Sequence, residues 1–308
     1  MDSPRVTLGF TTYNVERYLP QAFDAVLAQD FPDFEVVVCD NGSTDRTWEI
    51  CQRYAATDDR FRVHQNPRNL GEAGNFAQVV SLARGEFFRL TAHDDLIAPS
   101  LVGRCVAALD AAGPAAVLAY PRAVLIDAEG TEIGPLDYPG DLRIRSPWRR
   151  TARMGRVVNH GCNEVFGLVR TEVLRRTKLL VPIASGDVAL LAELVARGQF
   201  VQLPDRLFRR RIHEGSTWAT DRDHDEVGAW LEPSWRPGGG GLSHARIITA
   251  ASRAMLASEL PWATRVSCAA AFAAVYGTHR TRVWLGDRRR RLAGRMRRAD
   301  RSRLTGRS

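Results

Sequence analysis

The chain has 308 residues, 44% hydrophobic and 25% charged, which is ordinary for a globular protein with a substantial buried core. Its five cysteines (Cys39, Cys51, Cys105, Cys162, Cys268) form no CxxC pair, so buried thiols in a reducing cytoplasm are expected rather than disulfides or a zinc site. The formal net charge of +8 is local: 12 arginines and 2 acidic residues lie between Arg280 and Ser308, leaving about −2 for the first 279 residues and arguing against nucleic acid as a partner of the folded body.

In chain order, Val6 to Phe10 reads as a strand. The helix after it carries Leu19, Ala22, Phe23, Val26 and Leu27 on one stripe. Phe34 to Cys39 is a nearly continuous apolar run, as in a strand covered on both faces. Asp40-Asn41-Gly42 is turn chemistry. Ser43 or Thr44 is placed to cap a helix with Asp45 in its first turn and Ile50, Cys51, Tyr54 and Ala55 inward. Phe61 to Gln65 is a short strand, Ala73 to Ala83 a helix, and Glu86 to Thr91 a strand ending at His93-Asp94-Asp95. Pro99 starts a helix that Gly113 stops. This alternation predicts a mostly parallel sheet with right-handed crossovers, whose ligands sit beyond the carboxyl ends of the strands. Those ends read Thr11-Thr12-Tyr13-Asn14, Asp40-Asn41-Gly42-Ser43 and His93-Asp94-Asp95.

Beyond Ala116 the pattern changes. Val117 to Tyr120 and Ala123 to Ile126 are expected as strands, with a turn at Asp127 to Gly130 and a polar connection from Asp137 to Arg156. Val165 to Lys178 and Asp187 to Arg197 read as helices, and Phe200 to Leu203 and Leu207 to Ile212 as strands. Glu232 to Gly241 has the glycines and prolines of a linker, followed by two alanine-rich helices and the arginine tail. That tail is either a solvated helical end or a contact for an anionic membrane. No basic-then-apolar leader opens the chain, and the apolar stretch from Trp262 to Gly277 carries Arg265 and is shorter than the ~20 residues a span needs. The expected location is therefore the cytoplasm, with peripheral contact at the inner face of the membrane.

Three carboxylate positions carry candidate chemistry. Asp94 and Asp95 at a strand end repel each other unless a cation is bound. Hard oxygen ligands suit Mn²⁺ or Mg²⁺, and His93 tilts the choice toward Mn²⁺; alternatively the pair caps the helix after Pro99. Asp40 can accept a hydrogen bond from a base imide or build an Asx turn with Ser43. Asp187 can act as a base or only complement a helix dipole. Arg209-Arg210-Arg211-Ile212-His213 can meet phosphates or protect a sheet edge. Gly238 to Gly241 lacks the lysine and hydroxyl of a phosphate-binding loop.

As a set, Val6 to Asn14, Val36 to Asp45, Asn69-Leu70-Gly71 through Asn75, Ala83 to Glu86 and Ala92 to Asp95 resemble the family 2 glycosyltransferases. A looser match continues through Phe166 to Arg170, Gly186-Asp187 through Leu194, Arg197-Gly198 and Arg211-Ile212-His213. The resemblance implies an α/β GT-A fold, a Rossmann-like central sheet flanked by helices, with a C-terminal helical extension. Residues 1–125 would form the nucleotide-sugar-binding half and 126–232 the acceptor-binding half. Residues 233–308 would hold the linker, helices and tail. Carried over by position, Thr11, Tyr13, Asp40, Asn69 and Asp94 would bind the nucleotide. Asp95, His93 and His213 would hold Mn²⁺ or Mg²⁺, and Asp187 would be the general base, ionised by its helix dipole. The donor would be a nucleotide diphosphate sugar, most often a UDP-sugar, and the acceptor a saccharide or a lipid-linked one. Thr11 stands where the family has proline, and His93 where it has an aspartate.

Two other readings compete. A nucleotidyltransferase shares such a sheet, but its glycine- and lysine-rich loop is not found in Thr11 to Glu16. A non-catalytic nucleotide-sugar or polyanion-binding protein would explain the tail and leave Asp187 without a task.

Overall fold

The computed structural model describes residues 3–136, 142–158, 162–183, 185–214 and 243–278. The first half alternates as the apolar periodicity requires. β1 (Val6–Thr12), β2 (Phe34–Asp40), β3 (Phe61–Gln65) and β4 (Phe87–Leu90) are linked by α1 (Leu19–Leu27), α2 (Thr47–Thr57) and α3 (Gly71–Leu82). All three pairings among these strands are parallel, in the order β3-β2-β1-β4. β5 (Leu96–Ile97) and α4 (Leu101–Ala112) follow.

The second half makes the sheet mixed. β8 (Leu168–Arg170) pairs antiparallel with both β4 and β6 (Ala116–Ile126), joining the two halves. β9 (Gln199–Arg211) runs parallel to β6 and antiparallel to β5, and β7 (Glu132–Leu136) forms a hairpin with β6. The 125/126 boundary expected from the sequence falls at the end of β6, within one continuous sheet.

Alternate residues feed two cores. Val6, Leu8, Phe10, Val36 and Val38 pack toward α1, α2 and α4. Val37, Cys39, Phe88 and Leu90 pack toward α3 and α7 (Gly186–Arg197). The second core also takes Ile247, Ala251 and Met255 of α8 (Ser243–Leu256) and Cys268, Phe272 and Tyr276 of a helix over residues 262–278, here α9. The C-terminal helices are thus docked on the domain. Within β2, Glu35 is the one charged residue before Asp40. Thr7, Arg62 and the Arg84 N–H donate to it, which offsets its burial.

Besides joining the strands expected at Val117 to Tyr120 and Ala123 to Ile126 into the single β6, the structure corrects three readings. Val165 to Lys178 is not one helix: it is a 3₁₀ turn (Asn163–Phe166), β8 and a short α6 (Thr171–Arg175). At Gly167 the backbone approaches β6 so closely that a Cβ would lie 2.8 Å from Ala119 O, and the pairing overrides helical propensity. The polar connection from Asp137 contains α5 (Pro147–Val157), and residues 137–141 lie outside the described residues. Third, the two strands at 200–212 are the single β9, which passes through Pro204 where its pairing with β6 shifts register. The glycine-rich linker and the arginine tail also lie outside the described residues. Among those that are described, all five cysteines are free thiols and no helix is long and apolar enough to cross a membrane.

Candidate active site

The carboxyl ends of β1, β2 and β4 open on one edge. Thr12 pairs with Asp40, and the Thr91 N–H donates to Gly9 O. At this edge Asp40 is fully buried. Its Oδ2 accepts from Ser43 N (3.0 Å) and Gln65 Nε2 (3.1 Å); its Oδ1 accepts from the Ser43 hydroxyl and from Thr12 (3.3 Å). A carboxylate has about four acceptor positions, so the described geometry commits Asp40 to the turn.

Asn41 and Asn69 are similarly engaged. Asn41 donates to Asn69 Oδ1 (2.8 Å) and accepts from Asn66 and Leu70 N, while Asn69 Oδ1 also accepts from Gly71 N (2.8 Å). The network fixes the sharp entry to α3, where Gly71 has φ +73. Asn69 Oδ1 is therefore a structural acceptor here. Thr11 donates to Glu72 Oε1 (2.9 Å), and Tyr13 stays exposed on the loop beyond β1.

His93-Asp94-Asp95 follows β4, and neither carboxylate caps α4, whose N-cap Ser100 makes no side-chain bond either. Instead both face β9. Asp95, buried, accepts from Arg211 N (2.8 Å), and Asp94 Oδ2 lies 3.0 Å from His213 Nε2. Burial, then the charge of Asp94, pushes the Asp95 carboxyl up. For Asp94, burial pushes the same way but is outweighed by the His213 hydrogen bond and by both imidazoles, so it stays below the usual range. Burial pushes His93 down, toward the neutral imidazole that can serve as a ligand.

No three of the described His, Cys, Asp and Glu side chains converge as an ion cage. His213 is engaged by Asp94 in this arrangement. The donor set still fits Mn²⁺ or Mg²⁺ held by one or two carboxylates with phosphate oxygens and water completing the shell. The second oxygen of Asp95 has no protein donor among the described residues.

Arg211, for which the sequence left phosphate contact and sheet-edge protection open, organises this motif. β9 lies between β6 and β5, and Arg211 is 1% exposed. Its guanidinium donates to Asp94 O (2.7 Å), Ala128 O (2.8 Å) and Gln21 Oε1 (2.8 Å), and stacks 4.6 Å from the Tyr18 ring, which also meets His213. It ties the motif to the turn after β6 and to α1.

Asp187 opens α7, where its Oδ1 accepts from Val188 N (2.9 Å). Burial pushes its carboxyl up; hydrogen bonds from Cys162 and Val188 and the charge of Arg210 only moderate the effect. Glu164, 2% exposed, is pushed up to about 7 by burial and by the Asp187 charge. Arg210 Nη1 donates to Asn163 Oδ1 (2.6 Å), and the guanidinium favours the ionised forms of Asp95, Glu164 and Asp187 together. The sequence had offered Arg210 as a phosphate contact or edge residue, without its partner Asn163. The available signal was the period of two along β9, which turns Arg210 and Arg211 to opposite faces.

Residues 7–177 match the sequence profile of glycosyl transferase family 2, more than half of the chain. The chain belongs to that family. An uncharacterized glycosyltransferase of Haemophilus influenzae is 22% identical over 218 residues, 70% of this chain and 67% of that protein. The Bacillus subtilis protein EpsE is 33% identical over 108 residues; the match spans 35% of this chain and only 39% of EpsE. The crystal structure of S. aureus TarS 1-349 in complex with UDP superposes with a TM-score of 0.61 at 16% identity, covering 87% of this chain and 70% of that one. At that identity the likeness concerns the fold alone: a GT-A-like sheet flanked by helices, as expected from the sequence. Membership in the glycosyltransferase family also decides against the nucleotidyltransferase reading.

Proposed function

We propose that this family 2 glycosyltransferase moves a sugar from a nucleoside diphosphate donor to an acceptor hydroxyl in a single displacement with inversion. One observation carries the reading. The motif carboxylate Asp95 and the helix-start carboxylate Asp187 come from distant parts of the chain, yet both lie within the field of Arg210. Two carboxylates serving one guanidinium suit a site where a leaving diphosphate and an attacking hydroxyl meet.

In this reading Asp187 accepts the acceptor's O–H proton as that oxygen bonds to the anomeric carbon. The anomeric C–O bond breaks, and its electron pair leaves with the diphosphate. A carboxyl pushed up by burial is a stronger base than one at its ordinary value, and Cys162 and Val188 fix its orientation. Mn²⁺ or Mg²⁺ on Asp95, with Asp94 and His93 beside it, would supply Lewis-acid stabilisation of the diphosphate. His213 would orient Asp94, and Arg211 would hold the motif's backbone. Thr11 and Tyr13 line the nucleoside end. TarS has been captured with UDP-GlcNAc and a Pyrobaculum calidifontis mannosyltransferase with GDP-Man and Mn²⁺, which supports a nucleotide-sugar donor here.

The acceptor would be a saccharide or lipid-linked saccharide in polysaccharide, glycolipid or glycoconjugate synthesis, at the cytoplasmic face of a membrane. Leu256, Trp262 and Val266 are exposed near the α8–α9 corner, with Arg265 bonded to Leu256 O (3.0 Å) and stacked on Trp262. An apolar corner preceding an arginine-rich segment suits peripheral contact with an anionic bilayer.

Incubation with labelled nucleotide sugars and Mn²⁺ tests the reaction. Asp187→Asn should lower transfer roughly 10²–10⁴-fold with donor affinity unchanged, whereas Asp95→Asn should lose Mn²⁺-dependent donor binding. Donor binding without transfer or hydrolysis across sugars and acceptors would favour a non-catalytic binding protein instead.

A further inference from the structure

The small net charge of the first 279 residues is unevenly spread. Residues 142–163 hold six arginines and no acidic residue. One of them, Arg150, is buried against the end of α7, where it donates to Val195 O (2.6 Å). The others, Arg143, Arg145, Arg149, Arg153 and Arg156, are exposed. Within α5, Arg149, Arg153 and Arg156 stand at i, i+4 and i+7, so they form one stripe on the side away from the buried Thr151 and Met154. Trp148, 48% exposed, stands at the N-terminal end of that stripe, with the Arg149 guanidinium 5.3 Å from its ring.

α9 lies beside α5 and advances in the same direction. Thr151 lies against Cys268, and one turn further on, at Gly155, a Cβ would stand 3.2 Å from Tyr276 N. The start of α9 therefore comes to the end of the pair that holds Trp148. It carries Trp262, 68% exposed, with the Arg265 guanidinium 5.6 Å from its ring, and Val266 and Leu256 are exposed nearby. The other end of α9 lies toward Arg156, and 12 arginines follow it in residues 280–308. Arginines alone serve a solvated face or a soluble polyanion. Two exposed indoles, each beside a guanidinium, join apolar bulk to positive charge, and the headgroup region of an anionic bilayer takes both.

We propose that the Arg149-Arg153-Arg156 stripe and the Trp148–Trp262 end of the α5–α9 pair form one surface that rests on an anionic bilayer. The inference rests on the membrane-facing reading above and adds the orientation in which the protein sits. The stripe supplies attraction to acidic headgroups, which acts over about a Debye length, and the indoles supply the contact that persists when salt screens it. After Val157 the chain takes five residues to reach Cys162, which is hydrogen-bonded to Asp187. The lipid surface under α5 is thus at most ~18 Å of chain from the proposed base. A lipid-linked acceptor would reach Asp187 by diffusing in the bilayer plane, without leaving it.

Sedimentation of the full chain with phosphatidylcholine vesicles, with and without phosphatidylserine, tests this. Arg149→Gln, Arg153→Gln and Arg156→Gln combined should lower affinity for the phosphatidylserine vesicles roughly tenfold or more at low salt. All three side chains are exposed, so Tm and turnover of a soluble acceptor should stay at wild-type values. Brominated lipid should quench the wild-type tryptophan fluorescence, and Trp148→Phe and Trp262→Phe should each remove part of that quenching. Undiminished vesicle affinity in the triple variant, or quenching that neither tryptophan variant reduces, overturns the inference and leaves the membrane-facing reading standing. Wild type that ignores phosphatidylserine vesicles overturns that reading, and this inference with it. Polyphosphate bound as tightly as the vesicles, with no quenching by brominated lipid, makes the surface a polyanion site and overturns the inference too.

Discussion

Arg211→Met isolates what holds the His93-Asp94-Asp95 motif in place. Methionine keeps much of the arginine's length and removes every donor. Three acceptors lose their partners: Asp94 O, Ala128 O and Gln21 Oε1, bonded at 2.7, 2.8 and 2.8 Å. Gln21 can turn toward water, but the two carbonyls belong to backbone that cannot. Each buried acceptor left unpaired costs about 1–3 kcal/mol, and relief from burying a guanidinium returns part of that. The net expectation is a loss of roughly 2–4 kcal/mol, a large share of the ~5–15 kcal/mol that native domains possess. At ~2–4 °C per kcal/mol for a domain of this size, Tm should fall by roughly 4–16 °C. Urea and thermal melts read the stability, and calorimetric titration with UDP and Mn²⁺ reads the motif. Because the guanidinium grips Asp94 O, binding should weaken even where the variant is fully folded. A variant within ~0.5 kcal/mol of wild type, binding UDP equally well, would refute the clamp.

Glu164→Gln should reveal a pH-dependent cost. Glu164 has a folded pKa of about 7 against an ordinary 4.5, so between those values the unfolded chain has released a proton that the folded one keeps. Its contribution is fully favourable below about 4.5 and is lost as pH rises toward 7, by at most about 3 kcal/mol. The variant escapes that loss and should gain on wild type from pH 5 to pH 8 in urea melts; a constant difference would contradict the burial argument. Removal of residues 280–308 should weaken binding to vesicles containing phosphatidylserine, most clearly at low salt, without changing turnover of a soluble acceptor. Undiminished vesicle binding would instead implicate the α8–α9 corner.

The first half of the fold was legible because each strand is a short apolar run and each helix shows one apolar stripe. The positions of Thr11, Asp40 and Thr91 along one edge followed directly from that order. The second half resisted for specific reasons. In α5 the buried positions Arg150, Thr151, Met154 and Val157 have helical spacing, but the stripe starts with an arginine that donates to Val195 O (2.6 Å) and Ile144 O (2.7 Å). No hydrophobic period registers a guanidinium that caps a neighbouring helix. In 165–178 the strand β8 is three residues long and is held by partners on both sides, which local propensity cannot anticipate. At the site, residue type was readable and partner was not. Asp40 and Glu72 are both carboxylates near one edge, and only the hydrogen bonds show that the first is fully engaged and the second is not.

The electrostatics of the edge also explain why neighbouring carboxylates can take different tasks. Asp94 and Asp95 are adjacent, yet His213 holds one below its usual range, while burial and the neighbouring charge push the other up. A pair driven apart in this way has one member that ionises more readily and one whose ionisation depends on what approaches it. A cation brought to Asp95 therefore gains more than it would from two independent surface carboxylates. In the proposed reaction Asp187 has the opposite requirement, because a base must take up a proton. A strong positive field would hold its proton affinity down and make it a poor base. What reaches it is Arg210, whose guanidinium is already engaged by Asn163. Burial dominates, so the Asp187 carboxyl stays raised above its ordinary value, the direction that suits a general base.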